Sequence, residues 1–389
     1  MKHKSTLFLT GLFATVFAYN QACNEPASTQ EPTSVENQQI LRQLGEGVLV
    51  PNLMIVQEEL TGLQTALLLY QEDTSDVHRQ EAQEKWKSVM EAWQHIELMQ
   101  FGPAGSSVSF IAGQDLRDEI YSWPTTNPCR VDQKTSTEEY KNSTFFEDNL
   151  VNSYGLDALE HLLFSEIETI CPSQVSPVSD GLWDSLGEEK IINNRIEFAL
   201  TLTEDILARN LDLIEIWQAD NQNFLTDFET GSGPYTSTEE SMKEAFHALF
   251  YIEKYTKDKK LAQPLGLKDC TEDYCIDDLE GILSTSSLES IIANLRGFEI
   301  TFTGGEGQGF DDLLQQMGHG DLSDQIILDT QNAISYAETL RPLKEQIVTD
   351  KDSVMELYDL VANVTSALKY ELPVVLSIEI PTESAGDND

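Results

Sequence analysis

Apolar residues in this chain recur at helical spacing almost from end to end, and sustained period-2 alternation is scarce. Val56, Leu60, Leu63 and Leu67 fall at offsets of 4, 7 and 11, and Trp86, Val89, Met90, Trp93 and Ile96 at 3, 4, 7 and 10. The same rhythm runs through 192–217, 242–250, 288–298, 326–340 and 355–368. A stripe that returns about every 3.6 residues is one face of an amphipathic helix. The spacing therefore predicts an all-α fold. Helices of about 20 to 30 residues pack most readily as antiparallel bundles. Ser185 before the 188–217 run, and Thr238-Glu239-Glu240-Ser241 before the next, read as helix starts.

The connectors carry their own signals. Phe101-Gly102-Pro103-Ala104-Gly105 ends one helix, and 121–132 reads as a long connector with two prolines and a Trp. The run 303–309 has four glycines in seven residues. It lacks the Lys-Ser/Thr and the preceding strand of a phosphate loop, so it reads as a tight turn needing positive φ. A composition shift over 221–234 separates two halves, 36–220 and 235–380, each long enough for a helical bundle. The last nine residues, 381–389, read as a frayed, disordered tail.

The N-terminus reads as an address. Lys2, His3 and Lys4 precede a mostly apolar stretch of about a dozen residues, the length of a signal-peptide core and short of the ~20 that span a membrane. Ala22-Cys23 then resembles a bacterial lipoprotein processing site, with Asn20 where Leu is usual. This reading makes 1–22 a signal peptide, Cys23 the lipidated residue, and the Pro- and Ser-bearing 23–35 a flexible tether. It places the protein in the bacterial cell envelope, held to the membrane by its lipid alone, on the periplasmic or the outer face. Four cysteines remain, and an even number in an exported chain suggests disulfides. Of three possible pairings the simplest is Cys129–Cys171 with Cys270–Cys275, one in each half. A thiolate metal site is the alternative, but the chain has no CxxC pair.

Charge excludes one class of partner. With 24 Lys and Arg against 67 Asp and Glu, the net charge is −43. Such a surface repels nucleic-acid phosphates and cannot supply the cations that release their counterions. It suits a solvated acidic surface, or one that attracts cations.

Motifs for hydrolysis are missing: there is no HExxH and no GxSxG. Six histidines, of which His3 leaves with the signal peptide, make a multi-histidine zinc site hard to assemble. Carboxylates with one histidine would suit harder cations such as iron, manganese or calcium. The best local candidate is Asp157, Glu160 and His161, which fall at i, i+3 and i+4 of a helix and so share a face. The same spacing also suits a solvated acidic face with a local Asp–His pair.

Several segments, taken in order, resemble the imelysin-like proteins, of which imelysin is an insulin-cleaving metallopeptidase. They are KWKSVMEAWQHIELMQFGPA ending at Ala104, YSWPTTNPCRVDQ from Tyr121, GLDALEHLLF from Gly155, FHALFYIEKYTKDKKLAQPLG from Phe246, and LRGFEITFTGGEGQGFDDLL from Leu295. The third fits the family's GxHxxE segment, and the resemblance spans about 36–380. It implies an exported, all-helical protein of two bundles, often lipid-anchored and often linked to iron acquisition. The motif's histidine falls on Asp157 here and its glutamate on Glu160. His161 stands at a usually aromatic position. An Asp can ligate a hard cation but fits a zinc peptidase poorly, since that wants neutral imidazoles around an activated water.

The sequence-based expectation is a non-enzymatic protein that binds iron, or an iron-containing ligand, in a cleft near Asp157 and Glu160. Its partners would be that ligand and membrane proteins of iron uptake. A metallopeptidase and an interaction scaffold with a decayed site are the alternatives. Glu97 and Arg296 are further cleft candidates, though each is better suited to a structural ion pair. His247, a further cleft candidate, lies with Phe250 and Tyr251 on an apolar face, a setting that suits a satisfied core histidine better.

Overall fold

A computed structural model describes residues 34–218 and 224–381, together with Met1 and Ser384. Apart from Met1, the stretch read as a signal peptide falls outside the described residues, as do Cys23 and most of the stretches read as a tether and a C-terminal tail. Among the described residues there is no strand: the fold is all-α. The main helices are α1 (Ser34–Arg42), α2 (Val50–Glu72), α3 (Asp76–Ile96), α4 (Pro128–Thr137), α5 (Leu156–Phe164), α6 (Glu188–Trp217), α7 (Thr238–Leu249), α8 (Ser287–Thr303), α9 (Gly320–Ala337) and α10 (Lys351–Ser366). Each run of helical periodicity noted above lies within or across these elements.

The local chemistry accounts for several helix ends. Ser237 caps α7 by accepting from the N–H of Glu240, so the start signal there works one residue earlier than its first letter. Ser185 does not cap α6. It lies inside the short helix Leu182–Leu186, where its hydroxyl donates to Leu182 O, and α6 starts instead after Gly187, whose φ of 76° turns the chain. The connector 121–132 is shorter than its composition suggests. Pro128 opens α4 at the first helical position, where no N–H is missed, and Asn127 caps it. Gly304 and Gly305 take positive φ in the turn after α8.

Only three residues join α2 to α3, which forces an antiparallel hairpin. α2 also packs on α6, and α3 packs across onto α8, in the second half of the chain. Gly297 permits that crossing, since a Cβ there would lie 2.0 Å from His95 O. α8, α9 and α10 pack in turn, with a π-helical segment, Ile252–Ala262, against α8 and α10. One apolar cluster runs through both halves, from Leu60, Trp86 and Phe198 to Phe298 and Leu357. Residues 219–223, in the stretch read as a composition shift, lie outside the described residues. Beyond them Phe224 and Phe228 are buried, with ring centroids 4.8 and 5.4 Å from Trp217. The disulfides are Cys129–Cys171 and Cys270–Cys275.

Candidate functional site

Where α3 ends against α5 and α8, ionisable side chains are gathered inside the molecule. Gln94 comes from the last turn of α3 and Glu97 from the residue that follows it, Asp157 and Glu160 from α5, and Asn294 from α8. Arg117 comes from the short helix Leu116–Ile120, Lys260 from the π-helical segment, and Glu280 from the loop before α8. Glu97, Lys260 and Glu280 retain 2%, 1% and 2% of their accessible surface. Burying charge is tolerated only with partners, and here they are explicit. Arg117 Nη2 donates to Glu97 Oε1 at 2.5 Å, and Arg117 Nη1 to Asp118 at 2.8 Å. Lys260 Nζ lies 3.3 Å from Glu97 Oε2 and 3.0 Å from Glu280 Oε1. It also donates to Gln94 Oε1 at 2.5 Å and to Asn294 Oδ1 at 2.8 Å. The Tyr121 hydroxyl donates to Glu280, and the rings of Trp123 and Tyr251 lie 5.9 and 5.6 Å from Lys260 Nζ.

Asp157 and Glu160 flank this centre without a cation of their own. Asp157 Oδ2 accepts from Ser122 N and Thr126 Oγ1, each at 3.1 Å. Glu160 Oε1 accepts from Leu283 N at 3.1 Å and Ser284 N at 2.8 Å. The α5 backbone is held in place from α3, where Trp86 Nε1 donates to Leu156 O at 2.9 Å. Burial, then the charges of Glu280 and Glu160, push the Asp157 carboxyl up to about 8. Burial also raises Glu160, against the N–H donors of Ser284 and Leu283, and raises Glu280 despite Lys260 beside it. Glu97 goes the other way: burial raises it, but Lys260 and Arg117 together outweigh that and hold it below the usual range.

Three of the sequence-predicted residues therefore meet in or beside one network: Glu97, Asp157 and Glu160. His161 does not join them. Its Nε2 bonds Asp132 Oδ1 at 2.8 Å and its Nδ1 faces Ser165 Oγ at 2.7 Å. Helical spacing puts residues 157 and 161 near one face, but Asp132 on α4 is buried beside α5 and captures the imidazole. Arg296 is half-exposed and pairs with Glu338 at 2.6 Å. His247 Nε2 bonds Glu379 O at 2.8 Å. It also lines a groove of about 490 Å³ with Asp118, Tyr251, Lys254 and Tyr255. Tyr251 and Tyr255 stack with centroids 4.7 Å apart, and the Arg117 guanidinium lies 5.5 Å from the Tyr255 ring. Arg117 is thus shared between the buried network and the groove wall.

As arranged, the residues predicted as metal ligands do not fit a metal centre. Among the described residues no three His, Cys, Asp or Glu converge to hold an ion. Asp157 and Glu160 accept from N–H and O–H donors, and the neighbouring cation positions belong to an ammonium and a guanidinium.

Lys260, Glu280, Arg117, Gln94 and Asn294 escaped the sequence reading. Lys260 ends a run with Lys254, Lys257 and Lys259, which looks like a solvated basic face. The π-helical winding of 252–262 changes which of these positions face inward.

The imelysin family model matches residues 50–370. Two solved structures share the fold. One, assigned as an iron-regulated protein A precursor from Parabacteroides distasonis ATCC 8503, has 16% identity and a TM-score of 0.69 over 91% of this chain and 98% of that one. The other, an imelysin-like protein from Psychrobacter arcticum 273-4, has 16% identity and a TM-score of 0.68 over 90% and 98%. No curated protein matches the chain.

Proposed function

We infer the function from one premise: this chain belongs to the imelysin family. We propose that it is a non-enzymatic binding protein of iron acquisition, and that its ligand is an iron-containing complex held at the groove beside Arg117. The observation that carries this reading is the continuity between groove and interior. Arg117 grips Glu97 inside and Asp118 at the groove wall, so a ligand on Asp118 or Tyr255 is coupled to a buried charge network. Charged groups concentrated in a partly enclosed place are a functional-site signal. Iron enters the reading through the iron-regulated relative that shares the fold.

The donor set disfavours a peptidase. A hydrolytic zinc site wants imidazole ligands, and His161, next in sequence to Glu160, is turned to Asp132. No described helix is long and apolar enough to cross a membrane. The proposed attachment to the envelope is the lipid on Cys23. Palmitate labelling of cells should mark the protein and be lost in Cys23→Ala; labelling that survives the substitution rejects the anchor.

The ligand is testable by calorimetric titration of the purified chain with haem, ferric citrate and a ferric catecholate. One of these should bind at a single site, weakened about tenfold or more by Asp118→Ala or Tyr255→Ala. No binding by any complex, or equal binding by the variants, would reject the groove as the site.

A further inference from the structure

The oxygen atoms around Lys260 form a cage of the kind that oxygen-preferring metal ions occupy, yet the cation inside is part of the chain. Four oxygens from three places surround Nζ: Gln94 Oε1 and Glu97 Oε2 from the end of α3, Asn294 Oδ1 from α8 and Glu280 Oε1 from the loop before it. An ammonium has three N–H groups, so the four oxygens outnumber its donors. Two carboxylates and two amide carbonyls are the donor set of a hard divalent ion. A second observation points the same way. Glu280 Oε2 is buried and has no partner, so one carboxylate at the cage keeps an uncommitted oxygen. The rings of Trp123 and Tyr251 shield the ammonium from the side.

We propose that the Lys260 ammonium is the resident cation of this cage, occupying a position that an oxygen-liganded divalent ion would otherwise fill, so that the chain loads no metal there. A lysine gives the site one positive charge that does not dissociate and needs no supply. The proposal concerns the buried cage and not the occupant of the groove, so it stands or falls separately from the iron-complex reading.

Shortening the side chain tests it. Lys260→Ala leaves the four oxygens and removes the cation, opening room for an ion with water ligands. In the full chain, calorimetry with Mn²⁺ should show one new site in Lys260→Ala, about tenfold or more tighter than anything in the wild type. The bound ion should give an oxygen-ligand electron paramagnetic resonance spectrum and raise the melting temperature of the variant. Lys260→Ala/Glu280→Gln should lose the site. The wild type should show only the weak, multi-site uptake of its surface carboxylates. A single tight Mn²⁺ site in the wild type that Glu280→Gln abolishes would overturn the proposal, as would a folded Lys260→Ala without a new site. Should Lys260→Ala fold poorly, its refolding yield with and without Mn²⁺ decides: rescue by the metal supports the proposal, and failure to rescue overturns it.

Discussion

Asp157 and Glu160 stand three residues apart on one helix, and both end up as acceptors of hydrogen bonds from connecting loops. That shared fate has a measurable consequence. An aspartate in the unfolded chain titrates near 3.8, and in the fold Asp157 is held up to about 8. The folded state therefore binds this proton more tightly than the unfolded state does. The sign follows: between about pH 4 and pH 8 ionisation of Asp157 draws stability away as pH rises. Asp157→Asn keeps a neutral acceptor for Ser122 and Thr126 and removes the ionisation. At pH 8 the variant should be more stable than the wild type, by on the order of 1–3 kcal/mol, with a clearly smaller gain at pH 5 and none below about pH 4. Urea unfolding midpoints at the two pH values check this; a difference that does not change with pH would show that Asp157 is not the titrating group. The site pair was legible in sequence because a helix turns i and i+3 to one side. Which atoms would meet them was not. Ser122, Leu283 and Ser284 reach the pair from distant loops, and His161, equally well placed by spacing, is claimed by Asp132.

Among the elements, long amphipathic helices were readable and short or irregular ones were not. α2, α3 and α6 each repeat their apolar stripe over many turns, so local spacing alone defines them. Leu116–Ile120, which carries Arg117, has five residues and no periodicity to read. The π-helical segment breaks the 3.6 rhythm on which the reading depends, and with it the expectation for Lys260. The crossing of α3 and α8 shows how packing can overrule propensity. Glycine inside a helix is ordinarily worse than alanine by about 0.5–1 kcal/mol, so Gly297→Ala would be expected to stabilise α8. At this position the added methyl would strike His95 O, in the backbone of α3. Gly297→Ala should therefore destabilise the protein by about 1–3 kcal/mol in urea unfolding. A stabilised variant would mean that the two helices do not approach so closely.

For the whole molecule, the two disulfides differ in how much chain they enclose. Cys129–Cys171 closes a sequence separation of 42, and Cys270–Cys275 one of 5. In the chain-entropy view the longer loop restricts the unfolded state more, at about 4 kcal/mol against about 2. The double substitution Cys129→Ser/Cys171→Ser should thus lower the unfolding midpoint more than Cys270→Ser/Cys275→Ser. The reverse order would place the dominant effect in the folded state. By itself the sequence determined the all-α class and the family, and it singled out the helix pair Asp157 and Glu160. Each of these depends on residues close together along the chain, or on the order of whole segments. Only the tertiary structure decided that Lys260 and Arg117 supply the cations of the buried centre, that Glu280 joins them, and that His161 stands apart. Those outcomes depend on contacts between residues up to 200 positions apart, as Gln94 is from Asn294, and no local period encodes them.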